Sequence, residues 1–237
     1  MTTLTCGDCG FDSARWSRSD LERTLAHTDD LVGYVLEGAD HDLIERATAE
    51  RIVADDDLVS STHSVMHRLH DLAMVRRAAD DFVPMVGRVD SLQASGGGVP
   101  KASIPSADIG STGISVDVQG NRKNHGRPWQ AICLYSSDLL AALRSEGHPI
   151  AAGSTGENIT VSGVDWARLR GGLTITIGEV TLFTSGPAAP CHKVGESFVD
   201  RNWNRIDHGE RPGWARWYAS VLRGGTVHPG DEVIVTA

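Results

Sequence analysis

The sequence predicts an α+β chain, a small N-terminal helical segment followed by a mostly β, barrel-like domain with peripheral helices. Three observations carry this prediction. Residues 1–85 place apolar side chains at helical spacing. Residues 86–237 hold many short apolar runs punctuated by glycine, with few helical patterns between them. The texture changes near Asp80-Asp81, which divides the two parts.

In the first part, Ser17 or Ser19 caps a helix, and Asp20 and Glu22 suit its first turn. Leu21, Leu25, Leu31, Val32 and Val35 form its apolar stripe up to Gly38. A second helical run over 42–53 carries Leu43, Ile44, Ala47 and Ile52. A third over 58–79 turns Val59, Val65, Met66, Leu69 and Leu72 inward and Arg68, Arg76 and Arg77 outward. So short a segment has a small core, so it is expected to lean on the second part.

In the second part, 88–92 alternates as a strand and Gly96-Gly97-Gly98 makes a loop. Residues 113–118 alternate, and 131–135 suits a buried strand. Ser136 or Ser137 caps a helix over 138–146, closed by Gly147. Strands at 173–177 and 179–183 meet at Gly178, which fits a tight turn or bulge. A helix is expected over 211–222, with Pro212 in its first turn, and a closing strand over 232–235.

The bulk numbers narrow the function. With 237 residues the chain can bury a core, and a net charge of −9 argues against a general nucleic-acid or anionic-membrane binder. No apolar run reaches membrane-spanning length, and the start lacks the basic and apolar regions of a secretory signal, so a cytoplasmic protein is expected. There Cys6, Cys9, Cys133 and Cys191 are thiols or ligands more readily than a disulfide framework.

The chemistry centres on 184–193, Thr-Ser-Gly-Pro-Ala-Ala-Pro-Cys-His-Lys. Pro190 fixes its own φ and biases Ala189 away from helix, so Cys191 should sit at a defined bend. A helix starting there would aim N–H groups at the sulfur, with His192 and Lys193 adding positive charge. Each effect favours thiolate, the form that attacks electrophiles or binds soft metals. The alternative is a buried cysteine acting as a small hydrophobe.

Three other glycine-marked segments suit an anionic ligand. Gly120-Asn-Arg-Lys-Asn-His-Gly126 brings Arg122, Lys123 and His125 between glycines. Gly153-Ser-Thr-Gly-Glu-Asn158 offers N–H groups, hydroxyls and the Asn158 amide. The third runs from Arg211 through Pro212-Gly213-Trp214 to Tyr218. Taken singly, each also reads as an ordinary turn or a solvated charge run.

In their order and spacing, these segments resemble the MOSC domain, named for the C-terminal part of molybdenum cofactor sulfurases, and in particular its stand-alone YiiM-like bacterial type. The resemblance runs from Gly87 to the C-terminus. It rests on the Gly120–Gly126 run, Ala-Ile-Cys-Leu-Tyr135, Gly-Glu-Asn158, Ser-Gly-Pro-Ala-Ala-Pro-Cys191, Gly213-Trp214 and Gly230-Asp231. It implies a molybdenum cofactor (molybdopterin) with Cys191 as molybdenum ligand or persulfide carrier. One departure stands out, because Asn121 replaces the aspartate usual before the arginine, losing a carboxylate and gaining two donors.

Three functions follow. The first is reduction of N-hydroxylated small molecules. Arg122, Lys123, His125, Gly156, Asn158, Lys193 and Arg211 hold the cofactor, and Cys191, Glu157 and His125 act catalytically, Glu157 or His125 as proton source. No flavin or iron–sulfur motif is visible, so a separate electron-donor protein is expected. The second is sulfur transfer through a Cys191 persulfide. The third is a binding module without turnover, which an inactivating Asn121 would favour.

The N-terminal segment carries its own candidates. His63 and His67 lie one helical turn apart, and with His27 they could hold a divalent metal. Cys6 and Cys9 supply half a zinc site. The His63–His70 run resembles the last helix of DinB-like four-helix bundles, shortened here, as does the opening Cys-Gly-Asp-Cys. A remnant of this kind would pack on the β domain or mediate a homodimer.

Overall fold

The computed structural model describes residues 4–6, 12–15, 18, 63, 82–120 and 128–237. The three helices expected before residue 85 lie outside these residues, as do Cys9, His27 and His67, so the divalent-metal reading has only His63, in helical conformation, within them. Near the N-terminus Ser13–Arg15 makes a 3-10 turn and Thr5 bridges to Asp12.

The rest is a β-barrel. Its strands are β1 Met85–Ala94, β2 Ala102–Ile104, β3 Ala107–Gly110, β4 Gly113–Ile114, β5 Ile132–Ser136, β6 Ile159–Ser162, β7 Thr174–Ile177, β8 Val180–Ala188, β9 Arg216–Arg223, β10 Gly225–Val227 and β11 Glu232–Thr236. The order β11-β7-β8-β9-β5-β6-β1 closes on itself because β1 also pairs with β11. The long β1 permits this, its first residues facing β11 and its last carrying β2 outside the ring. Closure leaves these seven strands without free edges. β10, β3 and β4 form a small second sheet.

Side chains alternate as a barrel requires. Val233 and Val235 of β11 and Ile175 and Ile177 of β7 are buried while their neighbours are not. A bulge between Val89 and Ser91 shifts the phase of β1, so that Val89 and Leu92 both reach the core. β5 and β6 run parallel, and the crossover between them contains α1, Ser137–Ser145. Ser136 caps α1 by accepting from the Leu139 N–H, Leu140 and Leu143 bury its inner face, and Gly147 follows its end at φ 92°.

Two elements differ from expectation. The helix expected over 211–222 is instead a turn followed by β9. The Trp214 N–H donates to the Arg211 carbonyl at 3.1 Å and Gly213 has φ 82°, so Pro212-Gly213 forms the centre of a β-turn. The residues after it, Trp217-Tyr218 and Val221, are strand formers. The strand expected over 113–118 stops after Ile114, where a turn begins. Among the described residues the barrel's periphery thus holds one α-helix and several short 3-10 turns, and no helix is long and apolar enough to cross a membrane.

Candidate functional site

Three adjacent strands set the floor of the site. In the β8-β9-β5 run, Cys133 of β5 stands opposite Tyr218 of β9, and Ala188, the last residue of β8, stands opposite Arg216. Arg216 and Tyr218 are two residues apart on one strand, so they share a face with Cys133. A register shift between Thr184 and Gly186 of β8 leaves Ser185 unpaired, and its hydroxyl bonds the Trp129 carbonyl instead. Pro190 then turns the chain, placing half-buried Cys191 beyond the strand ends.

Cys191 precedes a 3-10 helix of six residues, His192–Ser197, with extended backbone at φ −142° and no side-chain capping bond. The expected helix start is therefore present but short. His192 and Lys193 are both exposed.

Residues 153–158 form a wall held by their own polar groups. Asn158 is clamped to β5, its N–H donating to the Cys133 carbonyl at 2.7 Å and its Oδ1 accepting from the Cys133 N–H at 3.1 Å. Its Nδ2 donates to Asp117 Oδ2 at 2.9 Å, the same oxygen that takes Lys101 Nζ at 2.6 Å. Asp117 Oδ1 accepts from the Ser95 N–H at 2.8 Å, so this one carboxylate ties the loop after β1 to the wall. Glu157 is fully buried; its carboxyl accepts from the Gly153 N–H at 2.5 Å and the Thr155 hydroxyl at 2.7 Å. Gly156 sits at φ 86°, and a Cβ there would come within 2.7 Å of Val99 Cγ1.

Between these elements lies a cavity of about 100 Å³. Cys133, Asn158, Cys191, Lys193 and Arg216 line it, with Lys101 and Gly156. Among the described lining residues three are cations and none is a carboxylate, in a chain of net charge −9. Arg216 is 6% exposed and bonds main-chain carbonyls only: Thr155, Ala189 at 3.3 Å and Ala188 at 3.5 Å. Among the described residues its buried Nε has no partner, nor has the buried Oε1 of Gln130, a residue that also lines the cavity. Burial opposes the charge of Arg216, yet the surrounding Cys133, Tyr218, Glu157 and Tyr135 hold its pKa up. Burial also pushes the Cys133 thiol up to about 11, against the pull of Arg216 and Lys101.

Of the residues singled out from the sequence, Cys191, Lys193, Gly156 and Asn158 meet at this cavity. Arg122, Lys123 and His125 lie outside the described residues, although Gly120 before them lines the cavity. Glu157 does not line it, being turned into its own loop. Arg211 does not line it either; it bonds Glu146 at 3.1 Å and stacks over Trp214, 3.0 Å from the ring centroid. The Arg205 and Arg211 hydrogen bonds, opposed by burial, hold the Glu146 carboxyl below its ordinary range. Sequence reasoning gave Arg216 only as part of the Arg211–Tyr218 segment and Cys133 only as one thiol or ligand among four and as part of the 131–135 run, and it passed over Lys101 and Gln130. The alternation of Arg216 with Tyr218 marks it as facing one side of a strand, which the helical reading of 211–222 concealed.

The two cavity thiols should separate chemically. Near neutral pH iodoacetamide is expected to alkylate Cys191 and to spare Cys133, which is 4% exposed and stays protonated until the pH nears 11. Peptide mapping after labelling reads this, and labelling of Cys133 ahead of Cys191 would contradict the geometry.

Comparison with known proteins agrees with this architecture. The family model of the MOSC domain matches residues 121–234. The uncharacterized protein YflK of Bacillus subtilis (strain 168) is 28% identical over 118 residues, 49% of this chain and 52% of that protein. The chain thus spans about half the length of that curated relative. The crystal structure of the YuaD protein from Bacillus subtilis superposes with a TM-score of 0.55 at 20% identity, covering 65% of this chain and 98% of that one. That likeness bears on the fold. YiiM from Geobacillus stearothermophilus gives a TM-score of 0.48 at 20% identity, over 64% of this chain and 75% of its own.

Proposed function

Because the chain carries a MOSC domain over residues 121–234, we propose that it binds a molybdenum cofactor through Cys191 and reduces N-hydroxylated small molecules. The observation that carries this reading is the half-buried thiol in a cavity whose described lining holds three cations and no carboxylate. The donor set fits an anionic group with a soft metal. A thiolate suits molybdenum, and Lys193 and Arg216 on the lining supply positive charge for the anionic part. The volume fits only the metal end, since sites enclosing a whole drug-sized ligand run to roughly 300–1,000 Å³. The remainder would be held by the Gly120–Gly126 segment, where Arg122, Lys123 and His125 suit a phosphate.

When bound, this group supplies two-electron removal of oxygen from an N–OH, with electrons arriving from a separate donor protein. The chain's residues do the rest. Cys191 anchors, Lys193 and Arg216 offset negative charge, and Asn158, fixed by Cys133 and Asp117, holds the wall. Glu157 keeps the 153–156 turn in shape. His125 is the candidate donor of the proton that the departing oxygen needs.

Elemental analysis of freshly purified protein, with fluorescence of the oxidised pterin, tests binding. Molybdenum and pterin are expected together in the native protein, and both should be largely lost from Cys191→Ser along with hydroxylamine reduction. Full reduction by Cys191→Ser would end this reading. The small cavity favours a second reading, a sulfur carrier with a persulfide on Cys191.

A further inference from the structure

His148 is a nearly buried titratable group outside the cavity, its side chain 9% exposed. It follows α1, and its backbone is fixed there, its N–H donating to the Leu143 carbonyl at 3.1 Å. Its ring reaches across to the segment that follows Cys191. Nδ1 accepts from the Val199 N–H at 3.1 Å, and the ring packs edge-on against buried Phe198 at 5.4 Å between centroids. An imidazole nitrogen accepts only while it carries no proton, so this bond requires a neutral ring protonated on Nε2.

The bond closes a strained piece of chain. Asp200 and Arg201, just after Val199, both have φ 54°, a region that residues other than glycine avoid. Such backbone persists where its surroundings hold it. The 3-10 helix His192–Ser197 runs from Cys191 to Phe198, and the Ser197 hydroxyl donates to the Ser154 carbonyl at 3.1 Å. Val199 therefore fastens the far end of a segment whose near end, Cys191 with Lys193 and Val194, lines the cavity. The charges around His148 do not replace that bond. Glu146 Oε2 lies 3.6 Å from Nε2, beyond hydrogen-bond length, and its two oxygens are taken by Arg205 and Arg211. On the facing segment Glu196 and Arg201 pair with each other, and Asp200 is exposed. A proton on Nδ1 would set N–H against N–H, beside a carboxylate that already serves two guanidinium groups. The released arrangement thus binds the proton better than the fastened one. The fastening is firm above the imidazole range, at about pH 6.5, and weakens as the pH falls through it.

We propose that His148 is a pH-sensitive latch on the Cys191 cavity. Neutral, it holds residues 192–201 in the arrangement that lines the cavity. Protonated, it lets go at Val199, and the thiol becomes more accessible. The latch regulates access to the site and needs no bound cofactor, so it stands apart from the reductase reading.

Hydrogen exchange of the full chain, corrected for the intrinsic pH dependence of exchange, reads the latch. Between about pH 7.5 and about pH 5.5 the peptide containing Val199 should lose protection by about tenfold, while α1 keeps its own. His148→Asn places an amide oxygen near the position of Nδ1 and does not titrate, so its Val199 peptide should stay protected. With dithiodipyridine, which reacts with thiols across this range, Cys191 should react equally in both proteins at the higher pH. At the lower pH it should react about threefold or more faster in the native protein, and the ratio of the two rates cancels the thiol's own titration. Should His148→Asn fail to fold, nitrogen NMR of the native imidazole takes its place. Nδ1 should be unprotonated at about pH 7.5, and exchange at Val199 should rise in step with its protonation. The proposal is overturned if Val199 protection does not change with pH, or if folded His148→Asn loses it as the native protein does. It is equally overturned if Cys191 reacts alike in both at the lower pH, or if Nδ1 carries the proton at the higher pH.

Discussion

Replacing Trp217 by alanine should destabilise the β domain by about 3–5 kcal/mol, as large aromatic truncations in closed cores do. Trp217 is 1% exposed and lies in β9 between Leu134 of β5 and Pro187 of β8, so its ring fills the junction of three barrel strands. His208 packs edge-on against it at 5.8 Å between centroids. For a chain of this size the loss corresponds to a fall in Tm of roughly 10 °C. Trp217→Phe separates volume from polarity. The indole Nε1 is buried without a hydrogen-bond partner, so phenylalanine removes an unsatisfied donor while keeping most of the ring. Its cost is expected below about 1.5 kcal/mol. Thermal unfolding of both variants reads the difference. Equal losses would contradict the account in which packing at the β8-β9-β5 junction, and not the indole N–H, carries the stability.

That junction also shows what a sequence discloses. The hairpin around Gly178 was legible because two apolar runs met at one glycine, and they pair as read, Ile177 against Val180. α1 was legible because Ser136 and Gly147 mark its ends chemically. The closure of the barrel was not, since it depends on Met85–Arg88 finding Glu232–Val235 across almost the whole β domain, and no local pattern records that pairing. Residues 211–222 are ambiguous locally because Pro212 suits a helix start, while Pro-Gly with a following aromatic pair suits a turn into a strand, and the pairing of β9 with β5 and β8 decides for the strand. The site divides the same way. Cys191, Gly156 and Asn158 were marked by proline and glycine neighbours, which impose shape locally. Arg216 looks like any strand cation until the carbonyls of Thr155, Ala188 and Ala189 converge on it from two other segments.

Glu157 was singled out as a proton source, and its placement leads to a different expectation. Its carboxyl accepts from Gly153 N–H and Thr155 Oγ1, both inside the loop that lines the cavity, while the side chain itself stays off that lining. Glu157→Ala leaves a buried N–H and a buried hydroxyl unsatisfied beside Arg216 and should cost about 3 kcal/mol, with the cavity wall deformed as a consequence. Glu157→Gln should behave otherwise. Its Oε1 can accept from Gly153 and its Nε2 can donate to the Thr155 hydroxyl, which serves as either partner. If the residue only shapes the loop, the glutamine variant keeps reduction of an N-hydroxylated substrate within about threefold of native. If it delivers the proton, the loss should approach 100-fold, roughly the lower bound for removing a general acid. Comparing turnover with melting temperature in the two variants distinguishes these outcomes, because a positioning residue links the two quantities and a proton donor does not.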